Sequence, residues 1–159
     1  FLDRSSTSEE TTGLLDDFFD AGEAVLVTSA LGTVTEGVDY AGAKLHTACV
    51  VGVPYRNTRT PRMQAVRGAY DAKLAGPDSS GFEMAVAVPA VRKARQAIGR
   101  VIRGPDERGV RLLVDERYLG RGEYEVGQYL STQEWNELRR VGVDMLDVGF
   151  EGFWNGIRR

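Results

Sequence analysis

The sequence predicts an α/β domain whose central sheet is mainly parallel and carries helices on both faces. Two observations point there. Short apolar runs rich in β-branched residues, AVLVTSA (24–30), LHTACVVGV (45–53) and VRLLV (110–114), are near-continuous rather than alternating, as expected of strands covered on both sides. Segments with helical spacing lie between them, giving the order helix, strand, loop, strand, helix, helix, strand, helix.

Each element has a local reason. Ser8-Glu9-Glu10-Thr11 places acid where a helix N-terminus favours it, Leu14, Leu15, Phe18 and Phe19 recur at helical spacing, and Gly22 should end that helix. The run 24–30 is bounded by Gly22 and Gly32 and is expected to be a buried strand. A glycine-rich, acid-bearing loop, GTVTEGVDYAG (32–42), follows it. The next strand, 45–53, is ended by Pro54, and Pro61 suits the first turn of a helix over 61–74. GPDSSG (76–81) reads as a loop, and residues 82–88 fit no single pattern. A helix is predicted from Pro89 to Arg103, stopped by Gly104-Pro105. The third strand lies within 108–118. Ser131 caps a short helix over 131–140, and the glycine-interrupted segment 144–159 has helical character.

The 159 residues fit one domain, with 42% apolar residues for a core and 27% charged residues for a surface. No apolar run approaches the roughly 18 residues of a membrane span. The polar start FLDRSSTSEE is neither signal nor transit peptide, so a cytoplasmic location and no membrane partner are expected. Cys49 is the single cysteine, which leaves no internal disulfide and no multi-cysteine metal cluster; its apolar run predicts a buried, inert thiol. His46, in the same run, reads as structural. The net charge of −3 does not advertise nucleic acid, but base gathers at Arg56, Arg59, Arg62 and Arg67 and again at Arg92, Lys93, Arg95, Arg100 and Arg103. That pattern fits a local basic face and an ordinary solvated surface equally.

Two segments can carry chemistry. On the helix 89–103, at about 100° per residue, Arg92, Gln96, Gly99, Arg100 and Arg103 share one face, opposite Val91, Ala94, Ala97, Ile98, Val101 and Ile102. Arginine offers a fixed fork of donors matched to phosphate oxygens. Gly99, which costs about 1 kcal/mol relative to alanine inside a helix, asks for a packing or functional reason. Spacing alone also describes a solvated basic face. In the loop 32–42, glycine permits close approach of a ligand, Thr33 and Thr35 supply hydroxyls, and Glu36 and Asp39 supply carboxylates; composition alone also describes a polar turn.

Taken together the pieces resemble a known family. Thr35-Glu36-Gly37-Val38-Asp39-Tyr40 is similar to motif V of superfamily 2 helicases in its XPD/DinG form, (S/W)-E-G-(I/V)-D-(F/L), with Thr35 and Tyr40 departing from the commonest end residues. Gln96 through Arg103 matches motif VI, Q-x-x-G-R-x-x-R. Gly52-Val53-Pro54-Tyr55 resembles the family's segment between those motifs. Asp106, Gly109, Leu112 through Asp115 and Arg117 resemble its continuation into a strand and D-x-R. The pieces fall in the family's order over roughly residues 10–120.

This resemblance implies the second RecA-like domain, a three-layer fold, of an ATP-dependent DNA helicase, with 1–159 taken as that domain; the segment 120–159 matches no motif and reads as either a closing helix or a family-specific tail. No G-x-x-x-x-G-K-(S/T) or D-E-A-H-like box is present, so the phosphate loop and the magnesium-binding acids belong to the first RecA-like domain, the implied partner. By match, Arg100 and Arg103 are arginine fingers and Gln96 contacts the γ-phosphate or the attacking water. Glu36, Gly37, Asp39 and Gly99 belong to the ATP site. Thr28, Thr33 and Arg56 are placed for single-stranded DNA. The implied ligands are ATP and Mg, and DNA repair is among the processes this family serves. A docking module that kept the fold, or an RNA-directed helicase, are the alternatives.

Overall fold

The computed structural model describes residues 1–5, 7–32, 34, 45–73, 80–102, 104, 107–120 and 125–157. They form two compact units, Phe1–Asp115 and Glu116–Arg159.

In the first unit, helix α1 is Ser8–Asp20. Thr7 rather than Ser8 opens it: its side chain accepts from the Glu10 N–H at 3.2 Å while the Glu10 carboxylate accepts from the Thr7 N–H at 3.1 Å. Gly22, at φ 73°, provides the left-handed residue just beyond the helix end. Leu15 and Val34 are buried together, with Phe19, Leu26 and Leu45 packed against them.

The run 24–30 departs from its prediction as a buried strand. It forms a single parallel bridge, Leu2 with Val27, closed by the Val27 N–H to Phe1 O (2.9 Å) and the Asp3 N–H to Val27 O (2.8 Å). Leu26 turns into the α1 cluster, whereas Val25 and Val27 are 74% and 56% exposed. An apolar run is buried on both faces only where layers cover both, and among the described residues the helix packing is through Leu26 against α1.

The regular sheet pairs β1, Thr47–Val51, with β2, Val110–Val114, in parallel, in register from Thr47 opposite Val110 to Val51 opposite Val114. A parallel pair needs a crossover, and helices α2, Pro61–Lys73, and α3, Val88–Ile98, supply it. β1 ends two residues before its predicted limit, at Gly52, whose φ of 80° turns the chain and whose N–H still reaches Val114 O at 3.0 Å. α3 lies against both strands. Val50 is buried on that side, while Cys49 and Val51 point to the open face. The prediction of a buried thiol at Cys49 is therefore corrected: strand alternation puts it on the uncovered face. Partial desolvation still pushes the thiol above its ordinary value, which keeps thiolate scarce. His46 is exposed and serves through its backbone, its carbonyl accepting the Val110 N–H at 2.9 Å.

The predicted loop 76–81 falls mostly outside the described residues, but its end is helical. The helix starts at Gly81, widens into a π turn at Glu83–Ala87, and runs on as α3. The π turn explains Pro89. In a regular helix a proline ring collides with the carbonyl four residues back; here the turn before it is wide, the Val88 N–H bonding Glu83 O, which eases that crowding. Phe82 anchors this start, with Tyr55 edge-on at 5.8 Å and the Arg67 guanidinium 5.5 Å from its ring.

α3 ends at Ile98, five residues before the predicted limit of 103. Gly99 caps it, the Gly99 N–H bonding Arg95 O at 2.8 Å, and the chain tightens through Arg100 N–H to Ala97 O and Val101 N–H to Ile98 O. Glycine's low helix propensity and these tighter bonds explain the early stop.

The second unit holds a 3₁₀ turn at Glu116–Leu119, a short helix α4, Thr132–Glu137, and α5, Leu146–Ile157. Ser131 caps α4 as predicted, reciprocated by Glu134. Tyr118 and Val126 are buried, and the Val126 N–H bonds Arg117 O at 2.9 Å.

One glycine carries much of the first unit's packing. A methyl group at Gly109 would overlap the Val101 side chain and lie 2.9 Å from His46 O. Gly109→Ala should therefore cost about 1–3 kcal/mol. Urea unfolding measures this, and wild-type stability in that variant would show that β2 does not approach β1 and Val101 so closely.

Candidate nucleotide and nucleic-acid site

The site is built on α3. Its inner face is small and apolar: Ala90, Val91 and Ala94 are at most 3% exposed, and Val86 and Ala87 of the π turn are equally buried. Alanines let the helix sit close to the strands, and each buried valine contributes roughly 1.5–3 kcal/mol. Burial of this face fixes the rotation of the helix and so turns Arg92 and Gln96 to the surface. Arg100, two residues past the helix end, is half-buried on the tight turn, and the neighbouring Val101 is 4% exposed and pins that turn. The predicted polar face thus holds on the helix at Arg92 and Gln96, and is continued by a turn at Gly99 and Arg100. A side chain at Gly99 would press on Arg95 O at 2.8 Å, which gives this glycine its packing reason.

Opposite the N-terminal half of α3 runs the segment leaving β1. Pro54 and Arg56 from that segment face Pro89, Arg92, Lys93 and Gln96 across a groove of about 180 Å³, with Leu31 at its edge. The groove brings together Arg56 and Gln96 of the predicted site and adds Arg92 and Lys93. Lys93 was part of the basic cluster in the sequence, but its 8% exposure was not foreseen. The spacing Pro89, Arg92, Lys93, Gln96 (i, i+3, i+4, i+7) was readable as one helix stripe; its pairing with residues 54–56 was not.

Thr28 lies apart from the groove lining. Its hydroxyl donates to the Asp3 carboxylate at 2.6 Å, and the Ser5 N–H donates to the other oxygen at 3.0 Å. These bonds, the Thr28 one foremost, hold the Asp3 carboxyl below its usual 3.8. Thr33, Glu36, Gly37, Asp39 and Arg103 lie outside the described residues, as do Thr35 and Tyr40. Val34, inside that loop, is buried against Leu15. Among the described residues no group of three or more His, Cys, Asp or Glu side chains is placed to hold a metal ion, and no helix is long and apolar enough to cross a membrane.

The family described as the helicase C-terminal domain matches residues 2–133. The chain belongs to it, as a C-terminal helicase domain of the XPD/DinG type. The helicase subunit XPD of general transcription and DNA repair factor IIH from Schizosaccharomyces pombe is 36% identical over 104 residues, 63% of this chain and 12% of that protein. The ATP-dependent DNA helicase YoaA of Escherichia coli is 34% identical over 108 residues, 68% of this chain and 16% of YoaA. XPD of Dictyostelium discoideum is 30% identical over 125 residues, 74% of this chain and 15% of its own length. The chain thus spans 12–16% of these relatives.

The Asp3–Thr28 bond gives a pH test. A carboxyl lowered by folding adds stability that is complete above its unfolded value of 3.8 and is lost as pH falls through the lower folded value. Thermal unfolding between about pH 5 and pH 2.5 should therefore fall more steeply for the wild type than for Asp3→Asn or Thr28→Val. Parallel profiles for all three would show that the bond does not form.

Proposed function

We propose that this chain is the second, RecA-like motor domain of an ATP-dependent DNA helicase, a three-layer domain whose ATP site is completed by a first RecA-like domain. The carrying observation is that burial of the alanine face of α3 leaves Gln96 solvent-facing, with Arg100 half-exposed on the turn beyond it. Two relatives named as DNA repair factor and DNA helicase support the reading.

In this reading ATP lies between the two domains. Arg100 and Arg103 act as arginine fingers, placing guanidinium donors where negative charge builds on the transferring γ-phosphoryl group. Gln96 contacts that phosphate or the attacking water. Gly37 and Asp39 approach the nucleotide sugar, Glu36 orients their loop, and Gly99 lets the backbone of the turn come close. The first domain supplies the phosphate loop and holds the Mg. Single-stranded DNA crosses both domains and meets Arg56 and Thr33 here. Thr28, whose hydroxyl donates to Asp3, contributes by fixing the loop that leads to Leu31. Residues 1–159 belong to this domain, with 120–159 as a family-specific closing segment; the family match covers residues 2–133 of that span.

Arginine fingers supply about 10³–10⁵ in rate in other phosphoryl-transfer systems. In the full-length protein Arg100→Ala should remove most DNA-stimulated turnover while ATP still binds, and the 159-residue chain alone should hydrolyse no ATP measurably. Near-normal turnover by Arg100→Ala, or robust hydrolysis by the chain alone, would overturn the assignment.

A further inference from the structure

The groove between α3 and the segment leaving β1 contains more than the family match assigns. Arg92 lies outside the Q-x-x-G-R-x-x-R pattern, and Lys93, Leu31 and Pro89 belong to no motif. Yet three cationic side chains from two separate chain segments, Arg56, Arg92 and Lys93, line one concavity. Three cations gathered from two segments give this concavity a positive character that attracts negative charge. Arginine provides forked donors matched to phosphate oxygens. The remaining walls, Leu31, Pro54 and Pro89, are apolar and suit a sugar or the edge of a base. This is the composition of a site for a backbone phosphate with its attached nucleoside, and it is blind to base identity.

Arg92 lies on α3 beside Arg56, whereas Arg100 lies on the turn two residues beyond the end of the helix. A polymer with a phosphate on every nucleotide can occupy the Arg92 end while the nucleotide occupies the Arg100 end. Gln96, which lines the groove, stands between them.

We infer that Arg92 and Lys93, with Arg56, form a binding site for a phosphodiester of single-stranded DNA at the N-terminal half of α3. This deepens the nucleic-acid part of the proposed function and rests on it. α3 then presents DNA contacts at one end and leads into the ATP contacts at the other, so one rigid helix connects the two ligands.

The test is equilibrium binding of a short fluorescein-labelled oligo(dT) to the full-length protein without ATP, followed by anisotropy over a range of salt concentrations. Arg92→Gln and Arg56→Gln should each weaken binding several-fold and reduce the steepness of log K against log salt by about 0.7, the value for one single-strand phosphate contact. Arg92→Lys keeps the charge and should retain most of the salt slope. Arg62→Gln, an exposed residue of α2 outside the groove lining, should bind as wild type. Arg56 stands on an exposed segment, so its variant remains informative if Arg92→Gln fails to fold. A second arm titrates a fluorescent non-hydrolysable ATP analogue, to separate the two sources of phosphate. Wild-type affinity and slope in both glutamine variants would overturn the inference. So would a lysine variant as weak as the glutamine one, or a loss of analogue affinity equal to or greater than the loss for oligo(dT). Because no step reads ATP turnover, failure here is distinct from failure of the arginine-finger assignment.

Discussion

The close seating of α3 on the parallel pair of β1 and β2 is the constraint from which the site follows. Ala90, Val91 and Ala94 are buried, and only side chains this small allow the helix axis to approach the strands. Once that face is fixed, helical geometry leaves no freedom over where Arg92 and Gln96 point. A larger residue at Ala94, which is 1% exposed, would move the helix and with it every group on its outer face.

The two ends of the helix are adapted to this seat in different ways. At the start, the π turn at Glu83–Ala87 absorbs Pro89 inside a continuous helix and turns its ring toward the groove. At the end, Gly99 stops the helix and lets the chain tighten into the turn that carries Arg100. Val101 then locks that turn against Gly109, where β2 begins to pair. One contact therefore joins the turn that carries Arg100 to the residue just before β2.

Much of this was legible in the residues. Pro61, Gly22 and Ser131 mark local backbone events that depend on few neighbours, and α1, α2 and the α4 cap follow them closely. The polar stripe of α3 was legible because a helix imposes its period wherever it forms. The run 24–30 misled because apolar content reports a preference for burial, whereas burial itself needs a covering layer, and only Leu26 found one. Cys49 misled for the same reason: within one apolar strand, alternation sends neighbours to opposite faces, and only one face meets α3. Lys93 gave no signal that its stem would be buried, since a lysine can lay its carbons on an apolar surface while its charge reaches out.

What the sequence determined by itself is local and periodic: where helices start, which residues share a helix stripe, and the ordered motifs that identify a helicase C-terminal domain. These depend on interactions within a few residues, so a linear reading reaches them. The tertiary structure decided what lies opposite what. Arg56 faces Arg92 only because a parallel strand pair forces a long crossover, and that crossover returns α3 beside the end of the strand it left. No spacing along the chain encodes that meeting, which depends on packing between segments more than thirty residues apart.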